Sequence, residues 1–125
     1  MTDVLIVEDD DSIAQLLEFM MHREGFEVQT CRDGRDAERR IVEGAPPPAL
    51  VVMDVMLPYT DGFELLALLR RQPLWRDVPV LMLSAKSQEH DIVRAIDAGS
   101  SGYVVKPFQP RELMARVRNL LRHAA

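Results

Sequence analysis

The sequence predicts an α/β fold built on a parallel sheet, because five short apolar runs alternate with five segments of helical periodicity. The first, third and fourth runs are apolar throughout, as expected of strands that helices cover on both faces. Glycine and proline fall between the runs, at positions where helices commonly end. A chain of 125 residues, 47% of them hydrophobic, has the size and apolar content of one domain, predicted to span residues 1–125.

The elements follow in a regular order along the chain. The predicted strands are VLIV, FEVQTC, ALVVMD, VPVLMLS and YVVK, at residues 4–7, 26–31, 49–54, 78–84 and 103–106. The first helix is predicted from apolar residues spaced three or four apart on one face, namely Ile13, Leu16, Leu17, Met20 and Met21. Comparable sets predict the other four helices: Ala37 and Ile41; Phe63, Leu65, Leu66, Leu68 and Leu69; Ile92, Val93 and Ile96; and Leu113, Met114, Val117, Leu120 and Leu121.

Charge and composition narrow the class of protein. The formal net charge of -5 and the pI of about 5.1 argue against nonspecific binding to nucleic acid. No apolar run approaches the roughly 18 residues that a membrane-spanning helix needs. The single cysteine, Cys31, cannot form an internal disulfide, which fits a reducing compartment. We therefore expect a cytoplasmic protein that neither crosses a membrane nor binds nucleic acid directly.

Polar side chains of complementary charge stand at the carboxyl ends of four predicted strands. Glu8 and Asp9 follow the first strand, Asp54 ends the third, Ser84 ends the fourth and Lys106 ends the fifth. In open parallel sheets these ends meet at one edge, where ligand sites form. We therefore expect three carboxylates, a hydroxyl and an ammonium to share one pocket.

Carboxylates crowded into one pocket repel one another unless a cation lies among them. Mg²⁺ fits such a pocket, because it prefers oxygen ligands and leaves part of its coordination shell to water or phosphate. A carboxylate can itself accept a phosphoryl group, and Asp54, which stands alone on its strand, is the predicted acceptor. Asp10 and Asp11 are expected instead to serve the start of the first helix. The residues alone leave open an alternative to a phosphoryl-accepting site, namely an acidic pocket with a structural role that only binds a cation.

Four motifs make the chain resemble the receiver domain of two-component response regulators over essentially its full length. Their order, and their positions at the ends of the first, third, fourth and fifth strands, are together specific to that family. The motifs are VEDD (7–10), DVMLPYTDG (54–62), LSAK (83–86) and GYVVKPF (102–108). The resemblance implies a flavodoxin-like, doubly wound (βα)5 fold, in which five parallel strands lie in the order 2-1-3-4-5.

The resemblance also implies how the pocket works. Asp54 would accept a phosphoryl group from a phosphohistidine on a sensor histidine kinase or a histidine phosphotransfer protein, in a Mg²⁺-dependent step. Asp9, Asp54 and the backbone carbonyl of Met56 would ligate the Mg²⁺, and Glu8 would act through water.

Further residues would respond to the phosphoryl group in a protein of this family. Ser84 and Lys106 would contact its oxygens, and the peptide bond between Lys106 and Pro107 is expected to be cis. Ser84 and Tyr103 would form a switch, in which Ser84 moves toward the phosphoryl group and Tyr103 turns inward. This movement would remodel the face made by helix 4, strand 5 and helix 5. The alternative interpretation of Tyr103 is an ordinary aromatic on an edge strand.

Positions outside the pocket bear on phosphoryl lifetime and on output. Met56 and Lys86 occupy positions that vary in the family and would tune the lifetime. The alternative interpretation of Lys86 is a solvated loop residue. The remodelled face would control an output partner or domain. Receivers attached to winged-helix transcription factors often carry two acids just before the switch aromatic, whereas Ser101 and Gly102 stand there in this chain. That departure argues against assigning this receiver to a winged-helix transcription factor. A phosphorylation-dependent homodimer stays open. The chain could equally be a stand-alone receiver or a piece of a longer protein.

Two other classes of function are open to a chain with these residues. A Mg²⁺-dependent phosphohydrolase with an aspartyl nucleophile would need a second acid two residues after Asp54, where this chain has Met56. A pseudo-receiver scaffold is expected to lack Asp54, Lys106 or the acid pair, all of which are present. We therefore expect a signalling domain that catalyses its own phosphorylation and a slow self-dephosphorylation, and not an enzyme that turns over a separate substrate.

Overall fold

The structure is a computed structural model and describes residues 2–123. The strands are Asp3–Val7 (β1), Glu27–Cys31 (β2), Leu50–Asp54 (β3), Val80–Ser84 (β4) and Gly102–Val105 (β5). The helices are Asp11–Arg23 (α1), Gly34–Val42 (α2), Gly62–Arg71 (α3), Glu89–Asp97 (α4) and Pro110–His123 (α5). All neighbouring strands are parallel, and their order is β2-β1-β3-β4-β5. The predicted flavodoxin-like fold is confirmed.

The sheet separates two apolar layers, because successive side chains of a strand point to opposite faces. One layer packs α1 and α5 on the sheet, with Leu17, Met21, Leu113 and Val117 fully buried. The other layer lies under α2, α3 and α4. All five residues of β3 and of β4 are buried. These two strands therefore hold the residues at their carboxyl ends in a rigid frame.

Aspartates cap three of the helices that begin at the carboxyl edge of the sheet. Asp10 caps α1 by accepting the N–H of Ile13 at 2.9 Å, which is the role predicted for it. Asp33 caps α2 and Asp61 caps α3 in the same way, at 2.8 and 2.9 Å. Each cap fixes where the chain leaves the strand edge and enters its helix.

The helical faces differ from prediction in α4 and in part of α1. Ala95 is the buried residue of α4, whereas Val93 and Ile96, predicted to face the core, are 45% and 62% exposed. In α1, Leu16 is likewise 41% exposed. An apolar stripe has the same spacing whether it faces a sheet or solvent, and the small Ala95 is the side chain that lets α4 approach the sheet closely.

Trp75 lies on the connection between α3 and β4 and is 1% exposed. Its indole N–H donates to the carbonyl oxygen of Ala45 at 3.2 Å, on the connection that leads into β3. The ring belongs to the apolar layer under α2 and α3. Trp75 therefore joins the two chain segments that enter the amino ends of the central strands.

Arg70, in the last turn of α3, ties three segments together. Its guanidinium donates twice to the carbonyl oxygen of Gly99 after α4, at 2.7 and 3.1 Å. It also donates to the carbonyl oxygens of Arg76 at 2.9 Å and Val78 at 2.6 Å, on the chain that leads into β4. One side chain thereby fixes the end of α4 relative to α3.

Candidate functional site

The sheet brings the predicted polar residues to one edge. Asp54 and Ser84 are the last residues of β3 and β4, Glu8 and Asp9 follow β1 directly, and Lys106 follows β5. Because β1 and β3 are neighbours in the sheet, their acids meet at its centre. Strand β2 lies at the far edge and adds no acid to this group.

Lys106 crosses from the end of β5 to bind both buried acids. Its Nζ donates to Glu8 Oε1 at 2.8 Å and to Asp54 Oδ2 at 2.7 Å. The side chains of Glu8 and Asp54 are 1% and 7% exposed, and that of Lys106 is 16% exposed. Desolvation offsets much of the attraction within ion pairs this well shielded from water, but removal of one partner leaves a buried charge uncompensated.

Burial and charge shift the ionisation of two of these groups. Burial raises the pKa of Glu8 from its usual 4.5 to about 7, against the lowering effect of the hydrogen bond from Lys106. Burial alone would lower the pKa of Lys106, but its hydrogen bonds to Asp54 and Glu8 outweigh burial and hold that pKa above the usual value. Lys106 is therefore a fixed positive charge, while Glu8 gains and loses its proton near neutral pH.

Three carboxylates converge tightly enough to hold a metal ion. One carboxylate oxygen from each of Glu8, Asp9 and Asp54 lies within 4.8 Å of the others. Asp9 is exposed while the other two are buried, so the cluster opens to solvent on one side. Hard oxygen donors of this kind, with an open side for water or a phosphoryl oxygen, suit Mg²⁺. The donor set therefore fits the cation expected from the sequence.

Met56 is the second residue of the loop that joins β3 to α3, and its backbone N–H contacts the acid cluster. Its N–H donates to Asp54 Oδ1 at 3.1 Å. Together with the bond from Lys106 to Oδ2, this contact fixes both oxygens of the Asp54 carboxylate. The Met56 side chain is 58% exposed, so its apolar atoms lie at the mouth of the site.

Ser84, Lys86 and Tyr103 are joined through the backbone of Lys86. The Ser84 hydroxyl, fully buried, accepts the N–H of Lys86 at 3.0 Å. The Tyr103 hydroxyl donates to the Lys86 carbonyl oxygen at 2.9 Å. The Lys106 N–H donates to the Ser84 carbonyl oxygen at 2.8 Å, and the Lys106–Pro107 peptide bond is cis. Ser84 is thus bonded directly to Lys106, and it is linked to Tyr103 through the backbone of Lys86.

Sequence reasoning missed how α2 contacts the loop after β3. The N–H of Gly34 donates to the carbonyl oxygen of Pro58 at 3.0 Å, and the guanidinium of Arg35 lies 4.0 Å from the centre of the Tyr59 ring. The sequence does contain the signal for a helix start, an aspartate followed by glycine at 33–34. Nothing local in the sequence indicates that this start lies beside the loop.

The sequence profile of one protein family, described as the response regulator receiver domain, matches residues 4–118. The chain belongs to that family. Receiver domains are the phosphoacceptor switches of two-component signalling, and the receiver function predicted from the four motifs is confirmed. Among the described residues, no helix combines the length and apolar character needed to cross a membrane.

Individual relatives agree with the receiver assignment. The alkaline phosphatase synthesis transcriptional regulatory protein PhoP of Bacillus subtilis is 42% identical over 121 residues, which are 97% of this chain and 49% of that protein. The chain thus spans about half the length of the curated relatives that it matches.

Solved receiver structures share the fold at close to full length. The receiver domain of the Francisella response regulator 1452 superposes with a TM-score of 0.90 at 32% identity, covering 100% of both chains. The receiver domain of the sensor histidine kinase PA1611 of Pseudomonas aeruginosa, solved with a magnesium ion coordinated in its active-site cleft, has a TM-score of 0.86 at 29% identity. It covers 97% of this chain and 98% of its own.

Proposed function

We propose that Asp54 is the phosphoacceptor of this receiver and takes its phosphoryl group from a phosphohistidine on a sensor histidine kinase or a histidine phosphotransfer protein. The observation that carries the proposal is the position of the Asp54 carboxylate, which Lys106 contacts at 2.7 Å and which belongs to the only cluster of three potential metal ligands among residues 2–123. A carboxylate held in this way is oriented for attack on phosphorus.

The transfer would form one bond and break one. An oxygen of Asp54 bonds to phosphorus, the bond from phosphorus to the donor imidazole nitrogen breaks, and the electron pair leaves with that nitrogen. The Lys106 ammonium, already within hydrogen-bond distance of Asp54, would shift to an oxygen of the incoming phosphoryl group and stabilise its charge. Ser84, at the end of the next strand, would donate a hydrogen bond from its hydroxyl to another of those oxygens.

Mg²⁺ is the proposed cofactor of this step. Asp9, Asp54 and the backbone carbonyl of Met56 would ligate it, and Glu8 would act through water. When bound, the ion neutralises charge on the phosphoryl oxygens and orients them for in-line transfer. The convergence of three carboxylates supports this assignment, as does the magnesium ion in the related Pseudomonas aeruginosa receiver.

We also propose that Ser84 and Tyr103 transmit phosphorylation to the face made by α4, β5 and α5. If Ser84 turns its hydroxyl toward a phosphoryl oxygen, the hydrogen bond that it accepts from the Lys86 N–H is disturbed. The Lys86 carbonyl is the group that holds the Tyr103 hydroxyl, so the two side chains respond together. Exposed apolar residues on α4, Val93 and Ile96, give that face a surface for an output partner, an output domain or a second copy.

The side chains at the mouth of the site would set how long the phosphoryl group persists. Met56 and Lys86 are both exposed beside the acid cluster and Ser84. An apolar Met56 offers no proton or base to assist attack by water, so self-dephosphorylation should be slow. The same absence of an acid argues against turnover of separate phosphate esters.

We propose that the whole chain, residues 1–125, acts as one receiver unit.

Intact mass after incubation with acetyl phosphate and Mg²⁺ tests the function. The wild-type chain should gain one phosphoryl group, and Asp54→Asn should gain none because an amide oxygen is a poor nucleophile. Asp97→Asn, an exposed change on α4, serves as the matched control and should be modified like wild type. An unmodified wild type, or equal modification of Asp54→Asn, would refute the phosphoacceptor assignment. Continuous release of phosphate from small phosphomonoesters would instead support a phosphohydrolase.

A further inference from the structure

The loop between β3 and α3 contains a turn in an unfavourable conformation. The Thr60 N–H donates to the Pro58 carbonyl oxygen at 2.9 Å, so that three residues close a turn around Tyr59. Tyr59 has a φ of +72°, in the left-handed region that a bulky side chain rarely adopts. Tight turns of this type are rare and strained, and they persist where surrounding contacts hold them.

Hydrogen bonds anchor the two ends of the loop, and the turn lies between these ends without such an anchor to the sheet. The Val55 N–H donates to the Leu83 carbonyl oxygen at 3.0 Å, and the Gly62 N–H donates to the Val55 carbonyl oxygen at 2.8 Å. Met56 lies between these anchors and the turn. Its position therefore depends on the turn as well as on the sheet.

The first two turns of α2 make three contacts with this strained turn and approach it closely at Gly34. The Gly34 N–H gives the Pro58 carbonyl oxygen a second hydrogen bond at 3.0 Å, and Arg35 covers the Tyr59 ring at 4.0 Å. A Cβ on Gly34 would overlap Thr60, lying 2.8 Å from its Cβ and 2.9 Å from its carbonyl carbon. The Thr60 hydroxyl donates to a carboxylate oxygen of the next turn of α2, Glu38 Oε2, at 3.4 Å.

We propose that α2, through Gly34, Arg35 and Glu38, is a positioning element for the phosphorylation loop. By holding the strained turn, α2 would fix the approach of Met56 to Asp54 and so set the affinity for Mg²⁺ and the rate of phosphoryl transfer. The inference rests on the proposed function, since it takes the Met56 carbonyl as a metal ligand and Asp54 as the acceptor. None of the three α2 residues touches the reacting atoms.

The physical reason is preorganisation. Groups that orient a metal ligand without touching the metal commonly change affinity or activity by about 10-fold to 100-fold when removed. A strained loop that loses its contacts with α2 relaxes toward favourable backbone angles. The Met56 carbonyl then spends less time in the position from which it would bind the metal. The effect should appear in metal binding and rate, while the core of the protein stays intact.

Gly34→Ala and Arg35→Ala test the inference. Gly34→Ala forces α2 and Thr60 apart, and we expect Mg²⁺ affinity, measured by calorimetry, to fall by roughly tenfold. The rate of phosphorylation by acetyl phosphate should fall at low Mg²⁺ and recover in part at saturating Mg²⁺. Arg35→Ala removes only an exposed cation–ring contact, so a smaller loss, of roughly threefold, is expected.

Two matched variants separate positioning from general damage. Tyr59→Phe keeps the ring beneath Arg35 and should behave like wild type. Arg39→Ala removes an exposed side chain of the same helix that pairs with Asp36 within α2, so it should also leave Mg²⁺ affinity unchanged. The free energy of unfolding without Mg²⁺ is measured for every variant. If α2 had only a structural role, its variants would lower this free energy, but the protein that remains folded would bind Mg²⁺ with the wild-type affinity.

The possible outcomes are distinct. Wild-type Mg²⁺ affinity and rate in both Gly34→Ala and Arg35→Ala would overturn the inference while leaving the function of Asp54 intact. If Gly34→Ala does not fold, Arg35→Ala decides alone, because its side chain is exposed. Failure of the wild-type chain to take up a phosphoryl group refutes the proposed function instead, and then Mg²⁺ affinity alone decides the role of α2.

Discussion

Glu8 is buried beside an ammonium and a second carboxylate, and this position determines how it titrates. Its Oε1 accepts from Lys106 at 2.8 Å, and its Oε2 accepts from the N–H of Asp10 at 3.2 Å. Even with these partners, burial raises the pKa of Glu8 to about 7. In the metal-free protein the Glu8 carboxyl therefore holds a proton in a pH range where it would be ionised in the unfolded chain.

The stability of the metal-free protein should carry a pH dependence due to Glu8. Because the folded pKa is raised, the contribution of Glu8 is fully present below pH 4.5 and is lost as the pH rises through about 7. A shift of this size corresponds to on the order of 3 kcal/mol of unfolding free energy. Urea unfolding between pH 4.5 and 7.5 in the presence of a chelator measures it.

Glu8→Gln is the matched variant for that titration, since its amide keeps the size of the side chain but has no proton to exchange. The difference in unfolding free energy between wild type and Glu8→Gln should change in favour of the variant as the pH rises. A difference that stays constant from pH 4.5 to 7.5 would show that Glu8 titrates normally in the folded protein.

At the scale of single elements, Arg70 of α3 supplies the hydrogen bonds that hold the end of α4. Arg70 donates four hydrogen bonds to three carbonyl oxygens, on Gly99, Arg76 and Val78. Helix α4 has one buried residue, Ala95, and a ring contact from Arg94 to Phe63 at 4.1 Å. An element with so little buried surface is held in place largely by contacts at its ends, which is compatible with the movement proposed for this face.

Arg70→Ala should destabilise the protein by about 2 kcal/mol, because four bonds from a charged donor are lost and the partly buried carbonyl of Val78 loses its partner. Arg71→Ala, at the neighbouring exposed position, should change the unfolding free energy by less than about 0.5 kcal/mol. Urea unfolding measures both variants. Hydrogen exchange at α4 should be faster in Arg70→Ala alone, and equal exchange in the two variants would contradict the role given to Arg70.

Periodicity predicted all five helices but could not assign every exposed face. The apolar residues of α4 have the spacing of a core stripe, yet Val93 and Ile96 face solvent and the small Ala95 faces the sheet. A hydrophobic pattern records that a face is apolar, and it does not distinguish a sheet from a partner as the surface that covers the face.

At the scale of the whole molecule, topology explains why much of the site could be predicted. The order β2-β1-β3-β4-β5 places the acids after β1 beside Asp54 and places Lys106 two strands from Asp54, within reach of its long side chain. Residues at strand ends are visible in sequence because apolar runs end there. Contacts between distant loops cannot be recognised in the sequence. The hydrogen bond from Gly34 to Pro58, for example, joins two segments that come together only in the folded chain.

Mg²⁺ should stabilise the whole molecule, because the acid cluster proposed to bind it is assembled in the folded chain and is absent from the unfolded chain. At a free concentration of ten times the dissociation constant, the gain in unfolding free energy should be about 1.4 kcal/mol. Urea unfolding with and without Mg²⁺ measures it. Asp9→Asn, which removes the exposed member of the cluster, should lose most of the gain, and an equal gain in Asp9→Asn would contradict the assigned metal site.

The position of Trp75 has a consequence for spectroscopy. It is the only tryptophan of the chain, and it is buried on the connections that enter the amino ends of β3 and β4, whereas the acid cluster lies at their carboxyl ends. Its fluorescence should therefore shift to longer wavelength when the protein unfolds and stay nearly constant when Asp54 is phosphorylated. Trp75 would thus report folding without responding to the proposed phosphorylation, and one emission spectrum would show that a variant is folded before its phosphorylation is measured.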